Sequence, residues 1–268
     1  ESMQRLILLL LLLYPGSRSE ECGKSIHIPD LPDLRYLLPG DFMLGVLFPV
    51  HIRSIAPFCG SKVHDLGSLQ RLEALVYAVK EANRKILTTH SLGFVIFDDC
   101  YTDLIALAQS LHFARASSTC VSYQCSVNKP LELYDIIGLL GSESSITTMQ
   151  AANLMSTFHT PHISYFATAP ALSDPIKYAM FQRTVPSDIT QARVILELLA
   201  KFNWTFIYVV YSEGAYGEGL YRAMERVIAE ESFDRDICFA EPVIIRQDFT
   251  NRDFDMTIWT MLFEKKAN

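Results

Sequence analysis

Gly138-Leu139-Leu140-Gly141-Ser142-Glu143-Ser144-Ser145 joins an apolar run, a glycine-broken polar turn and the helical pattern of Ile146 to Phe158. A strand that passes into a helix through a small polar turn is the repeating unit of parallel α/β sheets. The turn also leaves backbone N–H groups and hydroxyls at a helix N-terminus, where the helix dipole favours a carboxylate or phosphate. The same residues fit a capped helix start that binds nothing. Taken alone, the turn leaves carboxylate, phosphate and no ligand all open.

On the N-terminal side, Met43-Leu44-Gly45-Val46-Leu47-Phe48 is a continuous apolar run that reads as a buried parallel strand. After a polar loop, Leu69, Leu72, Leu75, Val76, Val79 and Ala82 fall at helical spacing, predicting a helix from about Ser68 to Arg84 with one apolar face. Leu92 to Phe97 is the next strand, followed by Asp98-Asp99-Cys100 and a helix carrying Leu104, Leu107, Ala108 and Leu111. Asp135 to Leu140 is the third strand. On the C-terminal side, His162 to Tyr165 reads as a short fourth strand, and Phe181 to Asp188 as a crossing segment without clear periodicity. A helix at Ile189 to Phe202, a strand at Trp204 to Tyr211, a helix at Gly217 to Glu231 and a strand at Ile237 to Ile245 complete the pattern. Strands alternating with helices of this length predict an α/β fold with a parallel sheet and right-handed crossovers.

In such folds ligands bind beyond the carboxyl ends of the strands. That edge collects Asp98-Asp99, Ser144-Ser145, Thr168 and the segment Ser212 to Glu218. It also collects Cys59 and Cys100, which follow neighbouring strands and are expected to form a disulfide.

The chain has 268 residues, half of them hydrophobic, so it can bury a substantial core. A net charge of −7 provides no basic field, which argues against nucleic acid as a partner. Met3-Gln4-Arg5, the apolar run Leu6 to Leu13 and the small-residue exit ending at Ser19 read as a secretory signal peptide over residues 1–19. The run is too short to span a bilayer core of about 30 Å. Glu1 and Ser2 precede Met3, and the strand and helix pattern is still recurring near the last residue, Asn268, which reads as a partial or wrongly predicted gene product. Export makes the six cysteines, Cys22, Cys59, Cys100, Cys120, Cys125 and Cys238, disulfide candidates. Their spacing offers no metal site. Asn203-Trp204-Thr205 is a glycosylation sequon.

Enzyme motifs are missing. There is no GxSxG nucleophile elbow and no GxxxxGK[ST] phosphate loop, and Gly214-x-x-Gly217-x-Gly219 is not the dinucleotide fingerprint. Asp98-Asp99 fits a turn beside a disulfide better than an acid–base pair. The expectation is a binding protein without a cofactor.

Several blocks then resemble a known family. Gly45-Val46-Leu47-Phe48-Pro49-Val50-His51, Leu69 to Ala74, Gly138 to Asn153, Ala167 to Asp174, Arg183 to Asp188 and Ser212 to Glu218 are similar, in order, to the extracellular ligand-binding region of metabotropic glutamate receptors, the class C G-protein-coupled receptors. The resemblance implies a two-lobed Venus flytrap of the periplasmic-binding-protein type I. Residues 21–184 would form most of the first lobe and 185–268 an incomplete second one. It implies that Ser145, beside Ser144 and the backbone N–H groups of the turn, meets a ligand's α-carboxylate. Thr168 and Asp188 would meet the ammonium and Tyr216 would lie against it, while Arg71 would pair with a side-chain carboxylate. L-Glutamate is then the first ligand expected, ahead of other L-amino acids. Gly67 stands where the family usually has a tyrosine or arginine, and Phe166 where it has a small residue. The resemblance further implies a homodimer bridged through Cys120 or Cys125. Cys238 would be tied to a cysteine-rich domain, with G-protein coupling through transmembrane helices absent from this sequence and a plasma-membrane location in the full-length protein. A secreted soluble amino-acid-binding or decoy protein of the same fold is the alternative.

Overall fold

Buried on both faces, the run at Phe42–Phe48 forms the middle of a six-stranded sheet. The computed structural model describes residues 36–53, 59–64, 66–117, 136–230, 236–246 and 249–264. The signal-peptide reading, Cys22 and the loop holding Cys120 and Cys125 lie outside the described residues. The first part of the chain runs β1 (Tyr36–Leu38), β2 (Phe42–Phe48), β3 (His51–Arg53), β4 (Cys59–Val63), α1 (Leu66–Lys85), β5 (Leu92–Asp98), α2 (Asp103–Ser117), β6 (Ile136–Leu140), α3 (Ser145–Thr157), β7 (His162–Ser164) and β8 (Phe181–Arg183). It continues with α4 (Asp188–Lys201), β9 (Phe206–Ile207), β10 (Val210–Ser212), α5 (Ala215–Ala229), β11 (Cys238–Phe239), β12 (Val243–Ile245) and α6 (Asn251–Glu264).

The sheet order is β1-β5-β2-β6-β7-β8. Every pair is parallel except β1 with β5. Side chains alternate across a strand, so β2 and β5 each feed two cores. Met43, Leu47, Val95 and Phe97 pack with Ile136 and Leu139 against Phe113 of α2 and Met155 of α3. On the other face Val46, Phe48, Phe94 and Ile96 pack with Val79 of α1. Gly45 faces the first core, and any side chain there would drive into the Phe113 ring. The fold is thus α/β with a mainly parallel central sheet, as the alternation of elements predicts.

Four local expectations change. On α2 the buried stripe is Ile105, Ala106, Gln109, Ser110, Phe113 and Ala114, whereas Leu104 is 59% exposed. Counting leucines therefore selected the wrong face. Phe181–Arg183, read as part of a crossing segment, is the edge strand β8. At three residues it is too short to display a period. The strand expected at Trp204 to Tyr211 is split into β9 and β10, and the one at Ile237 to Ile245 into β11 and β12. β9 pairs with β11 and β10 with β12, in parallel. Pro242 separates the two ladders and has no N–H to donate. In this part of the molecule Ala192 and Leu196 of α4, Ala223, Met224 and Val227 of α5, and Ile237 form the core.

Candidate functional site

The turn after β6 is locked from several sides. Gly141 has φ of +102°, and a Cβ there would overlap the carbonyl oxygen of Leu47, so only glycine fits. The Ser142 hydroxyl donates to the Asp99 carboxylate. The Ser142 carbonyl accepts from Thr148 Oγ1 at 3.1 Å and Ser164 Oγ at 2.8 Å. Ser144 occupies the N-cap position of α3 with extended backbone, yet its hydroxyl makes no capping bond. Ser145, the first helical residue, is buried, and its Oγ accepts the Ala169 N–H at 3.2 Å. One serine is therefore committed to the Thr168 loop while its neighbour is left over from helix capping.

Thr168 and Asp188 meet directly. The Thr168 hydroxyl donates to Asp188 Oδ2 at 3.0 Å, and the Asp188 N–H donates to the Thr168 carbonyl at 2.9 Å. Asp188 opens α4 behind the cap residue Ser187, whose side chain accepts from the Ile189 N–H. An acid in the first helical turn is favoured by the helix dipole. Asp188 is buried, and desolvation raises its pKa above the ordinary aspartate value, opposed by the Thr168 hydrogen bond and the nearby Arg183 charge. Arg183 braces the same loop, donating to the carbonyls of Ala169 at 3.1 Å and Ala167 at 3.4 Å and to the Ser173 hydroxyl. Burial lowers its pKa from the usual arginine value.

Tyr216, in the first turn of α5, is 48% exposed. Gly214, with φ of +96°, caps that helix, and a Cβ on it would touch Ile146 of α3 at 3.4 Å. A Cβ on Gly219 of α5 would meet Pro170 at 3.1 Å. The start of α5 therefore lies against the helix that begins at Ser145 and the loop that follows Thr168. The Tyr101 hydroxyl lies in the fields of Glu143, Asp99, Arg71 and Tyr216, and burial with the neighbouring carboxylates raises its pKa. These groups share one neighbourhood.

Arg71, on α1, also reaches this neighbourhood, but its partner is protein. Its Nη2 lies 3.1 Å from Glu143 Oε1 and 2.9 Å from Oε2, and 3.3 Å from Ser68 Oγ. The Phe166 ring, 54% exposed, lies 5.9 Å from the guanidinium carbon. Gly67 falls in the first turn of α1. Glu143 and Arg183 escaped the reading of the sequence. Arg183 is sequence-silent because its partners are carbonyls distant along the chain. Glu143 is the one charged residue of its turn, a signal that could have been followed.

Asp98 and Asp99 have separate duties. Asp98 accepts from the N–H groups of Val50 at 2.9 Å, His51 at 3.1 Å and Cys100 at 2.8 Å, and meets His51 Nδ1 at 2.7 Å. It organises the turn beside the Cys59–Cys100 disulfide, whose Cα atoms are 5.3 Å apart. Asp99 is fully enclosed, and desolvation pushes its pKa up to about 7. Cys238 is exposed with a free thiol. Asn203 is exposed in a left-handed turn after α4, not within a strand, which is the geometry of a reachable sequon. Two surface depressions, of about 320 Å³ behind Leu172 and Arg183 and about 500 Å³ between Phe206 and Met261, contain none of the six candidate ligand residues. The candidate site is a polar seam where α1, α3, the 167–173 loop, α4 and α5 meet.

Among the described residues no helix is long and apolar enough to cross a membrane. The family model described as "Receptor family ligand binding region" matches residues 70–242. The chain is 33% identical, over 98% of its length, to the metabotropic glutamate receptor of Drosophila melanogaster, of which it spans 27%. It is 34% and 33% identical, over 97% of its length, to metabotropic glutamate receptor 4 of Macaca fascicularis and of Mus musculus, spanning 29% of each. It thus covers under a third of the curated relatives it matches. These matches are receptors, in keeping with a binding protein and not an enzyme. The matched span contains Arg71, Ser144, Ser145, Thr168, Asp188 and Tyr216, and on this evidence the chain belongs to the receptor ligand-binding-region family, with metabotropic glutamate receptors among its relatives.

Proposed function

We propose that the chain carries the amino-acid-binding region of an extracellular receptor, displayed at the plasma membrane in the full-length protein. The observation that supports this reading is one hydrogen-bonded edge, in which Ser145 is tied to Ala169 and Thr168 to Asp188. An α-amino acid presents an anion and a cation on one carbon. Ser144, Ser145 and the first N–H groups of α3 suit the carboxylate. Thr168 and Asp188 suit the ammonium, and the Tyr216 face adds a cation–π contribution of about 0.5–2 kcal/mol. Residues 21–184 and 185–268 act as the two walls, closing on the ligand and rearranging a homodimer that signals to a G protein. The names of the relatives make L-glutamate the first ligand to test, and Arg71 is the cation its second carboxylate would have to reach.

Screening the chain against the proteinogenic L-amino acids by thermal shift and ligand-observed NMR tests this reading. At least one should bind, with D-enantiomers weaker. Ser145→Ala and Asp188→Asn should each weaken binding by about tenfold or more, the loss of one charge-assisted contact. Silence toward every L-amino acid would overturn it.

A further inference from the structure

Within the amino-acid-binding reading, on which this inference rests, we propose that Glu143 sets the side-chain class of the ligand. It occupies the Arg71 guanidinium as a built-in substitute for a ligand's distal carboxylate, so the site takes an L-amino acid with a neutral side chain in preference to glutamate.

The argument starts from position. Glu143 stands two residues before Ser145 on the same turn, and its carboxylate sits against Arg71, the cation a ligand's distal carboxylate would have to reach. Both of its oxygens lie within 3.1 Å of Arg71 Nη2. The side chain of Glu143 is 7% exposed and that of Arg71 33% exposed, so the anion is the more deeply held partner. It is also tethered. Ser142, immediately before it, is fixed through its hydroxyl to Asp99 and through its carbonyl to Thr148 and Ser164. A tethered carboxylate competes at a high effective concentration against one that must arrive from solution. Displacing it would leave a buried acid without its cation, beside Asp99.

Charge leads to the same conclusion. Asp98, Asp99 and Glu143 converge on this end, with His51 against Asp98 and Arg71 against Glu143. A further ligand carboxylate would enter beside acids, one of which already holds Arg71. The rest of the lining suits a neutral group. The Phe166 ring lies beside Arg71, and the buried Tyr165 hydroxyl, in the fields of Glu143 and Arg71, has no hydrogen-bond partner among the described residues.

Competitive saturation-transfer NMR on the chain, with L-glutamine and L-glutamate as isosteric probes, tests the proposal. The wild type should bind glutamine at least about tenfold more tightly than glutamate, the discrimination expected when one ligand must break an ion pair. Glu143→Gln should shift the glutamate-to-glutamine affinity ratio toward glutamate by at least about tenfold. Arg71→Gln, which leaves the Glu143 charge uncompensated, should shift it the other way. Wild-type preference for glutamate, or an unmoved ratio in Glu143→Gln, overturns the proposal while leaving amino-acid binding intact. If Glu143→Gln fails to fold by circular dichroism, a ratio in Arg71→Gln that moves toward glutamate or does not move overturns it in the same way. Absence of binding by either probe and by every other L-amino acid removes both this inference and the reading beneath it.

Discussion

The part of the molecule up to Arg183 and the part from Asp188 onward bury their apolar residues differently. In the first, strands of up to seven residues lie between helices, and alternate side chains of β2 and β5 enter two separate cores. In the second, the strands are two or three residues long and the core is chiefly the contact of α4 with α5. Met256, Ile258, Trp259 and Phe263 of α6 remain exposed. Arg71, Ser144, Ser145 and Thr168 stand in the first part, Asp188 at the start of the second and Tyr216 within it. The residues proposed to meet the α-carboxylate are therefore carried by elements braced from both faces. Tyr216 sits in the part held chiefly by the contact of α4 with α5, the mobility that the proposed closing wall would need.

The largest test of this contrast truncates one leucine in each part. Leu47→Ala should lower global stability in urea by about 2–5 kcal/mol and reduce amide protection throughout the sheet. Leu196→Ala, equally buried, should reduce protection in α4, α5 and their strands while the sheet stays protected. Equal reach of the two changes would dissolve the distinction. Next in size, removing the Cys59–Cys100 bridge, whose partners are 41 residues apart, with paired serines should cost about 2–4 kcal/mol in chemical unfolding. A cost near zero would show that the β3–β4 hairpin is held by Asp98 alone.

Asp99 provides a pH-dependent test within the first part. Its folded pKa of about 7 lies above the ordinary aspartate value of 3.8, so the fold favours the protonated acid. That stabilisation is complete below about pH 4 and is lost as pH rises through about 7. Asp99→Asn stays neutral, so its stability relative to wild type should grow from pH 4 to 7, by about 3 kcal/mol. A difference that stays flat between pH 4 and 8 would mean that Asp99 is not held protonated. The smallest effect belongs to α6, where Ile258→Ser should change stability by less than about 0.5 kcal/mol in the same urea assay. A loss comparable with Leu196→Ala would place this helix in the cooperative core.

Much of the sheet was legible because a strand buried on both faces must be apolar throughout, as Leu44 to Phe48 and Phe94 to Phe97 are. The helix ends near Ser68, Ser145 and Asp188 were legible from capping and turn residues. What failed was short or degenerate. Three residues at Phe181 carry no period, Pro242 divides a strand that composition alone joins, and Ile105, Phe113 and small or polar residues, not leucines, line the buried stripe of α2. In the candidate site, Ser145, Thr168, Asp188 and Tyr216 could be named from their order along the chain. Their hydrogen bonds to Ala169 and to one another could not.

Sequence by itself determined that this is a parallel α/β chain of the receptor ligand-binding family, because periodicity and motif order are local properties that survive without coordinates. It also marked Arg71 as a cation at the site. Only the tertiary structure decided what that cation meets. Arg71 and Glu143 are 72 residues apart in sequence, and an ion pair between them exists only because α1 and the turn after β6 face each other at the same end of the sheet. Charge pairing across such a separation is set by packing, which is why the glycine-broken turn that revealed the fold also holds the carboxylate that meets Arg71.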